Sequence, residues 1–151
     1  MGDMMELETL DRQECLRLLA GRAAGRVSAE SGSPTAVPVN YIVDGQEVVF
    51  RLRRGSAVAA AARNAIVAFE VDDVDSRTHT GWSVLGIGES YEVDDQARLA
   101  ALARRMPDSW APRRTAYTIA IPLTVLRGRR LSLADWVSDR LCTQPDLSAS
   151  P

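Results

Sequence analysis

The stretch from Val39 to Phe50 constrains this chain most. Val39, Tyr41 and Val43 alternate with Asn40 and Ile42, Asp44-Gly45 interrupts, and Val48, Val49 and Phe50 follow. An Asp-Gly step between two apolar runs is a strong local signal for a hairpin, because glycine supplies the positive φ that a tight turn requires. Strands are expected over residues 35–43 and 47–53. Directly after them comes Gly55-Ser56, a small residue and a hydroxyl, which predicts a capped helix over about 56–63. A helix start offers unpaired backbone N–H groups and a positive dipole end, and Arg51, Arg53 and Arg54 precede it. A phosphate-bearing ligand is therefore the first functional expectation. The plain alternative is a helix that merely starts there.

The rest of the chain continues the alternation of strands with short helices. Asp11 and Glu14 form a possible capping box, and Leu16, Leu19 and Ala20 give one apolar face, so a helix is expected over about 11–20, with Gly21 as its stop. Strands are expected at 25–29, at 66–71 (Ile-Val-Ala-Phe-Glu-Val) and at 82–93. Ser31-Gly32-Ser33-Pro34 reads as a turn and 72–80 as a polar loop. Gly86 and Gly88 inside the 82–93 strand predict a bulge or a close backbone approach. Asp94 or Asp95 caps a helix with Leu99, Leu102 and Ala103 facing inward, ending before Pro107. A last strand is expected at 115–126, bent at Pro122, then one helical turn near Ala134-Asp135-Trp136. The end, from about 143 on, is expected to be disordered. About six antiparallel strands with two or three helices fit a closed or partly split barrel, since closure removes exposed strand edges.

Composition narrows the function. The chain has 151 residues, 46% hydrophobic and 25% charged, which suits a single globular domain. Its net charge of −2 argues against binding nucleic acid by bulk phosphate neutralisation. All 18 basic residues are arginine, so Schiff-base lysine chemistry and a P-loop lysine are excluded. Cys15 and Cys142 lie near opposite ends without metal-ligand spacing. No signal peptide and no membrane-spanning apolar run are seen, and a cytoplasmic location is expected.

Taken in order, Glu14-Cys15-Leu16, Gly25-Arg26-Val27, Pro38-Val39-Asn40-Tyr41, Phe50-Arg51, Gly55-Ser56, Phe69-Glu70-Val71-Asp72 and Gly81-Trp82-Ser83-Val84 resemble the pyridoxamine 5′-phosphate oxidase-like proteins over roughly residues 10–130. The resemblance implies a mainly β (α+β) fold, an antiparallel split β-barrel forming a homodimer, with FMN in a cleft at the subunit interface. Pro38, Val39 and Asn40 would then line the isoalloxazine ring, and Phe50, Arg51 and Leu52 would run along the flavin. Gly55 and Ser56 would meet the phosphate, and Trp82 and Ser83 would approach from the other side. The implied activity is hydride transfer through the flavin on a small-molecule substrate, with no metal, nucleic acid or membrane partner. An F420-dependent reductase on the same scaffold is the alternative. A third reading, a non-catalytic dimer with a decayed FMN site, comes from two departures. Relatives carry Lys or Arg where this chain has Ala57 and Val58, and often Thr where it has Leu52. Losing one charge-assisted phosphate contact costs about 1.5–3 kcal/mol, about ten- to a hundredfold in affinity.

Several residues have a plainer reading. Asn40 either satisfies a neighbouring backbone group or meets a ligand carbonyl. Trp82 reads as core or interface before it reads as a stacking partner. Arg53 and Arg54 read as solvated, and Arg51 stands between a phosphate partner and a solvated strand arginine. Asp72, Asp73, Asp75 and His79 look superficially like a metal cluster but lack the turn-forming glycine of a hard-cation loop, so a solvated acidic loop is expected. Arg104-Arg105, Arg113-Arg114 and Arg127 to Arg130 read as solvated faces, without interleaved aromatics for a single-strand platform.

Overall fold

The structure is a computed structural model that describes residues 5–31, 33–106 and 116–133. The helical turn expected near Trp136 and the tail from about 143 lie outside these residues. Nine strands and three helices follow in the order β1 (Met5–Leu10), α1 (Arg12–Ala20), β2 (Ala24–Ser31), β3 (Ser33–Asp44), β4 (Glu47–Arg53), α2 (Ala57–Ala61), β5 (Ile66–Asp75), β6 (Thr80–Glu89), β7 (Tyr91–Glu92), α3 (Gln96–Arg105), β8 (Ala116–Pro122) and β9 (Val125–Leu133). All pairings are antiparallel, in the order β1-β9-β6-β5-β2-β3-β4-β8-β7.

The sheet curls into a split barrel. β8 and β9 follow one another in sequence, yet β8 bonds to β4 and β7 while β9 bonds to β6 and β1. The corner between them is where β6 passes closest, and a Cβ on Gly88 would overlap the carbonyl oxygen of Pro122. The register of β5 with β6 runs unbroken from Ile66↔Glu89 to Asp75↔Thr80. Of the two readings of the β6 glycines, close approach is the one realised. Ser90 then carries the chain from β6 into β7. Its buried hydroxyl donates to Ala62 O at 2.5 Å, and its N–H bonds to Ala65 O at 2.8 Å.

Inward-facing side chains fill the barrel. Phe69 sits edge-on to Tyr41 at 4.8 Å between centroids and stacks on Phe50 at 6.4 Å. Val27, Val48, Val67 and Val84 are fully or nearly fully buried around them. Tyr41 keeps a partner for its hydroxyl by donating to Leu19 O of α1 at 2.5 Å, and its burial pushes the phenol pKa well above the usual range. Helix α1 is capped as expected, with Asp11 Oδ1 accepting from the Glu14 N–H at 2.8 Å. The Glu14 carboxylate, though, turns to Arg17 and Arg130 rather than back to the cap.

Several expectations change. There are nine strands instead of about six. Met5–Leu10 is additional, the expected strand over 82–93 is two strands, β6 and β7, parted at Ser90, and the expected strand over 115–126 is two strands meeting at the Pro122 bend. The segment 72–75 is not loop but the end of β5, because arginines pair with its acids. Arg22 pairs with Asp73, and Arg26 lies 3.5 Å from Asp72. The hairpin turn itself is Gly45-Gln46, since Asp44 still pairs with Glu47. Gly45 has φ +60° at the first central position, the place glycine takes in a type II′ turn. In α3 only Leu102 is fully buried and Ala103 is exposed.

Candidate functional site

The candidate residues divide by the alternation of their strands. On β4, Val48, Phe50 and Leu52 face the barrel core, and Phe50 and Leu52 are 0% and 5% exposed. Val39 on β3 is likewise core. Their side chains serve packing. Pairing of Tyr41 with Phe50 puts the neighbouring Asn40 and Arg51 on the opposite face, together with Pro38. Asn40 is half-buried, and its Nδ2 donates to Ala23 O at 3.3 Å, so it satisfies a neighbouring backbone carbonyl. Pro38 borders a hollow of about 150 Å³ with Ala24, Gly25, Arg26, Val71 and Asp72.

Asp72 also lines a second, wider groove of about 440 Å³, which includes Trp82 and Ser83. The Pro38 hollow and the Trp82-Ser83 groove are therefore neighbours within one subunit. Trp82 packs against the core from the groove's edge, with the Arg22 guanidinium 5.8 Å from its ring. Between the two hollows, Arg26 donates to Glu70 at 3.1 Å. Burial raises the Glu70 pKa, and the adjacent Asp72 adds to the rise, against the pull of Arg26.

Gly55 and Ser56 stand at the start of α2. Ser56 Oγ accepts from the Ala59 N–H at 3.2 Å and donates to Arg53 O at 2.8 Å, so the one hydroxyl proton is already used within the cap. A denser pair of cations lies on either side of this short helix, and of the two Arg63 was not singled out in the sequence. Arg54 precedes α2 and Arg63 follows it, and both guanidiniums lie over the ring of Tyr117 on β8, 4.2 and 4.4 Å from its centroid. Arg63 donates to the Tyr117 hydroxyl at 3.3 Å and to Glu92 at 3.0 Å, while Arg54 is 3.8 Å from the same Glu92. Two cations thus share one carboxylate, which leaves a net positive charge facing solvent. Arg54, taken alone, reads as a solvated arginine. The signal available was its symmetry with Arg63 about the helix, but Tyr117 and Glu92 arrive from distant segments.

This donor set fits a phosphate group. A phosphomonoester carries close to two negative charges at neutral pH and takes guanidinium donors well. No comparable cation acceptor set is present for a metal: among the described residues no group of three or more His, Cys, Asp or Glu is placed to hold an ion. Among those residues, too, no helix is long and apolar enough to cross a membrane.

Comparison with known proteins agrees with this architecture. Residues 11–130 match the family model described as pyridoxamine 5′-phosphate oxidase. An uncharacterised protein of Mycobacterium tuberculosis is 35% identical over 132 residues, covering 83% of this chain and 86% of its own length. Among solved structures, an FAD binding protein from Mycobacterium smegmatis superposes with a TM-score of 0.75 at 31% identity, over 84% of this chain and 100% of the other. A candidate pyridoxamine 5′-phosphate oxidase from Corynebacterium glutamicum gives a TM-score of 0.71 at 26% identity, over 85% and 95% of the two chains.

Proposed function

The chain belongs to the pyridoxamine 5′-phosphate oxidase family, and from that premise we propose that it is a flavin-binding oxidoreductase working as a homodimer. The ligand would be held through the flavin mononucleotide unit, the part that FMN and FAD share. The observation that carries this reading is the pair Arg54 and Arg63, stacked on Tyr117 beside the Gly55-Ser56 helix start with only Glu92 to balance them. The FAD binding relative at 31% identity supports a flavin as the occupant.

In this reading Arg54 and Arg63 grip the phosphate, with Tyr117 fixing both guanidiniums in place. Arg51 supplies positive charge on the outer face of β4, next to Asn40. Pro38 and Asn40 would border the ring from one side, with Trp82 and Ser83 across the neighbouring groove. A second copy would close over this open face and exclude water. A bound flavin supplies hydride transfer, so the protein's part is orientation and electrostatics. The core position of Leu52 bears on the reading of a decayed site: a threonine hydroxyl there would point into the barrel, so its absence removes nothing from the surface.

Titration with FMN and with FAD, followed by flavin fluorescence, tests the proposal. Saturable binding of both with similar affinity is expected, because the shared unit carries the contacts. Arg54→Ala should weaken it by about ten- to a hundredfold, the loss of one charge-assisted contact. Arg77→Ala, an exposed arginine of the β5–β6 turn, should leave it unchanged. No binding of either flavin at high micromolar concentration would overturn the proposal and bring forward the deazaflavin and non-catalytic readings.

A further inference from the structure

The Glu92 carboxylate bridges the two arginines that grip the phosphate in the proposed function. Its Oε2 accepts from Arg63 at 3.0 Å, and its Oε1 is 3.8 Å from Arg54. Among the described residues it has no other hydrogen-bond or ion-pair partner. The two guanidiniums do not depend on it for their place. Both lie over the Tyr117 ring, and Arg63 also donates to the Tyr117 hydroxyl at 3.3 Å. Glu92 belongs to β7, which is only two residues long but pinned on each side. The Ser90 N–H donates to Ala65 O at 2.8 Å and the Val93 N–H to Thr118 O at 2.9 Å. Tyr91 is tied through its hydroxyl to Glu47 at 2.7 Å and to Arg98 at 2.6 Å. The strand is fixed, while the Glu92 side chain is held by the two cations alone and can change rotamer once they release it.

We propose that Glu92 is a resident stand-in for the ligand's anion: it pairs with Arg54 and Arg63 until a phosphate takes its place, and so favours ligands that bring two negative charges. This rests on the reading of Arg54 and Arg63 as the phosphate grip. Charge balance carries the argument. Two guanidiniums face one carboxylate, so one positive charge is left over. A singly charged anion only matches what Glu92 already supplies, and displacing Glu92 for it gains nothing. A phosphomonoester brings close to two charges, and the diphosphate of a dinucleotide brings a comparable charge, enough to neutralise both arginines. Keeping Glu92 beside it would set a third negative charge against the phosphate, and like charges that close oppose binding. Geometry agrees. The 3.8 Å separation from Arg54 is too long for a hydrogen bond, so the carboxylate holds one arginine well and the other by charge alone. The several oxygens of a phosphate can accept from both. Both arginines are exposed and Glu92 is half-buried, so the exchange takes place at the surface and needs no opening of the core.

Titration of the full chain and of Glu92→Gln with FMN and with riboflavin tests this. Glutamine keeps the shape of the side chain and removes its charge. FMN should bind Glu92→Gln tighter by about three- to tenfold, the worth of a partly exposed ion pair. Riboflavin, which has no phosphate, should bind both proteins alike. Competition at equal ionic strength separates the charge classes: sulfate should displace FMN from both proteins, and dimethyl phosphate, a singly charged diester, only from Glu92→Gln. An FMN affinity lowered or unchanged in Glu92→Gln, while Arg54→Ala still weakens FMN, would overturn the stand-in role and leave the phosphate grip standing. An FMN affinity indifferent to both substitutions would overturn the phosphate grip and the stand-in role together. Equal tightening of FMN and riboflavin would also overturn the proposal, because the carboxylate would then act on the ring instead of the phosphate. So would dimethyl phosphate displacing FMN equally from both proteins.

Discussion

The two sides of this sheet are finished differently. Over β4, β7 and β8, the face opposite the barrel interior is covered. Val49, Val93, Ala120 and Leu102 form a small second core beneath α3. The helix is held down by arginines. Arg98 donates to the Tyr91 hydroxyl at 2.6 Å, to Glu47 at 2.7 Å and to Asp44 at 3.3 Å, and Arg105 reaches Asp44 at 2.8 Å. Over β1, β9, β6 and β5, the outer face has no such cover among the described residues. It keeps Ile66, Val74 and Leu7 more than half exposed and carries both hollows. The covered side spends its apolar residues and cations on holding the hairpin in place. The uncovered side leaves them available, and the hollows bordered by Pro38, Trp82 and Ser83 lie there.

The sharpest way to break this contrast is to remove matching apolar side chains from the two faces. Leu102 is 2% exposed beneath α3, and Leu102→Ala should cost about 2–5 kcal/mol in urea unfolding. Val74→Ala, on the uncovered face, should cost less than about 0.5 kcal/mol. Equal losses at the two positions would mean that Val74 is packed in solution, and would strengthen the case for a second copy on that face.

A smaller effect is expected from the polar clamp. Arg98→Ala removes the donor shared by Tyr91, Glu47 and Asp44 and leaves two carboxylates close together. Because these groups are about a quarter to a third exposed, solvent screens much of the interaction, and a loss of about 1–2 kcal/mol is expected. Hydrogen exchange should show the loss concentrated in α3 and the β3–β4 hairpin. A uniform loss across the sheet would show instead that the clamp supports the whole barrel.

The same contrast explains what could be read in advance. The hairpin and the limits of β4 were legible because Val48, Phe50 and Leu52 alternate next to a glycine turn. The caps Asp11, Ser56 and Asp95 were legible because they are local. β1 was not, since Glu6 and Glu8 dilute its pattern and its partner β9 comes from the other end of the chain. The arginine run 127–130 hid β9, in which Gly128 faces Cys15 of α1 while Arg130 reaches Glu8 and Glu14. The end of β5 looked like loop because its acids need Arg22 and Arg26 from β2 and its approach. In the candidate site, Gly55-Ser56 was visible, but its cations at 54 and 63 become a pair only through Tyr117. Such non-local pairings leave no periodic trace in a sequence.

The subtlest difference between the regions is electrostatic and is carried by two glutamates with opposite shifts. Glu14 on α1 accepts from Arg17 and from Arg130 of β9, and these guanidiniums hold its pKa down at about 2 from an ordinary 4.5. Its ionised form is favoured by folding, so the stability it contributes is present above about pH 4.5 and fades as pH falls toward 2. Glu70, on the uncovered face, is shifted upward by burial and by Asp72. Its protonated form is favoured by folding, so its contribution is present below the unfolded value and is lost as pH rises through the folded one. The two substitutions should therefore diverge with pH. Glu14→Gln should lower the melting temperature at neutral pH, with the difference from the parent shrinking in acid. Glu70→Gln should leave the melting temperature equal or slightly raised at neutral pH, and lose that advantage near pH 4, where the parent glutamate is itself protonated. A ligand or second copy that brought a cation to Asp72 would draw the Glu70 pKa back down. If Glu70→Gln instead destabilises the protein at neutral pH, the Arg26 pairing outweighs the burial and the Asp72 charge that raise the Glu70 pKa.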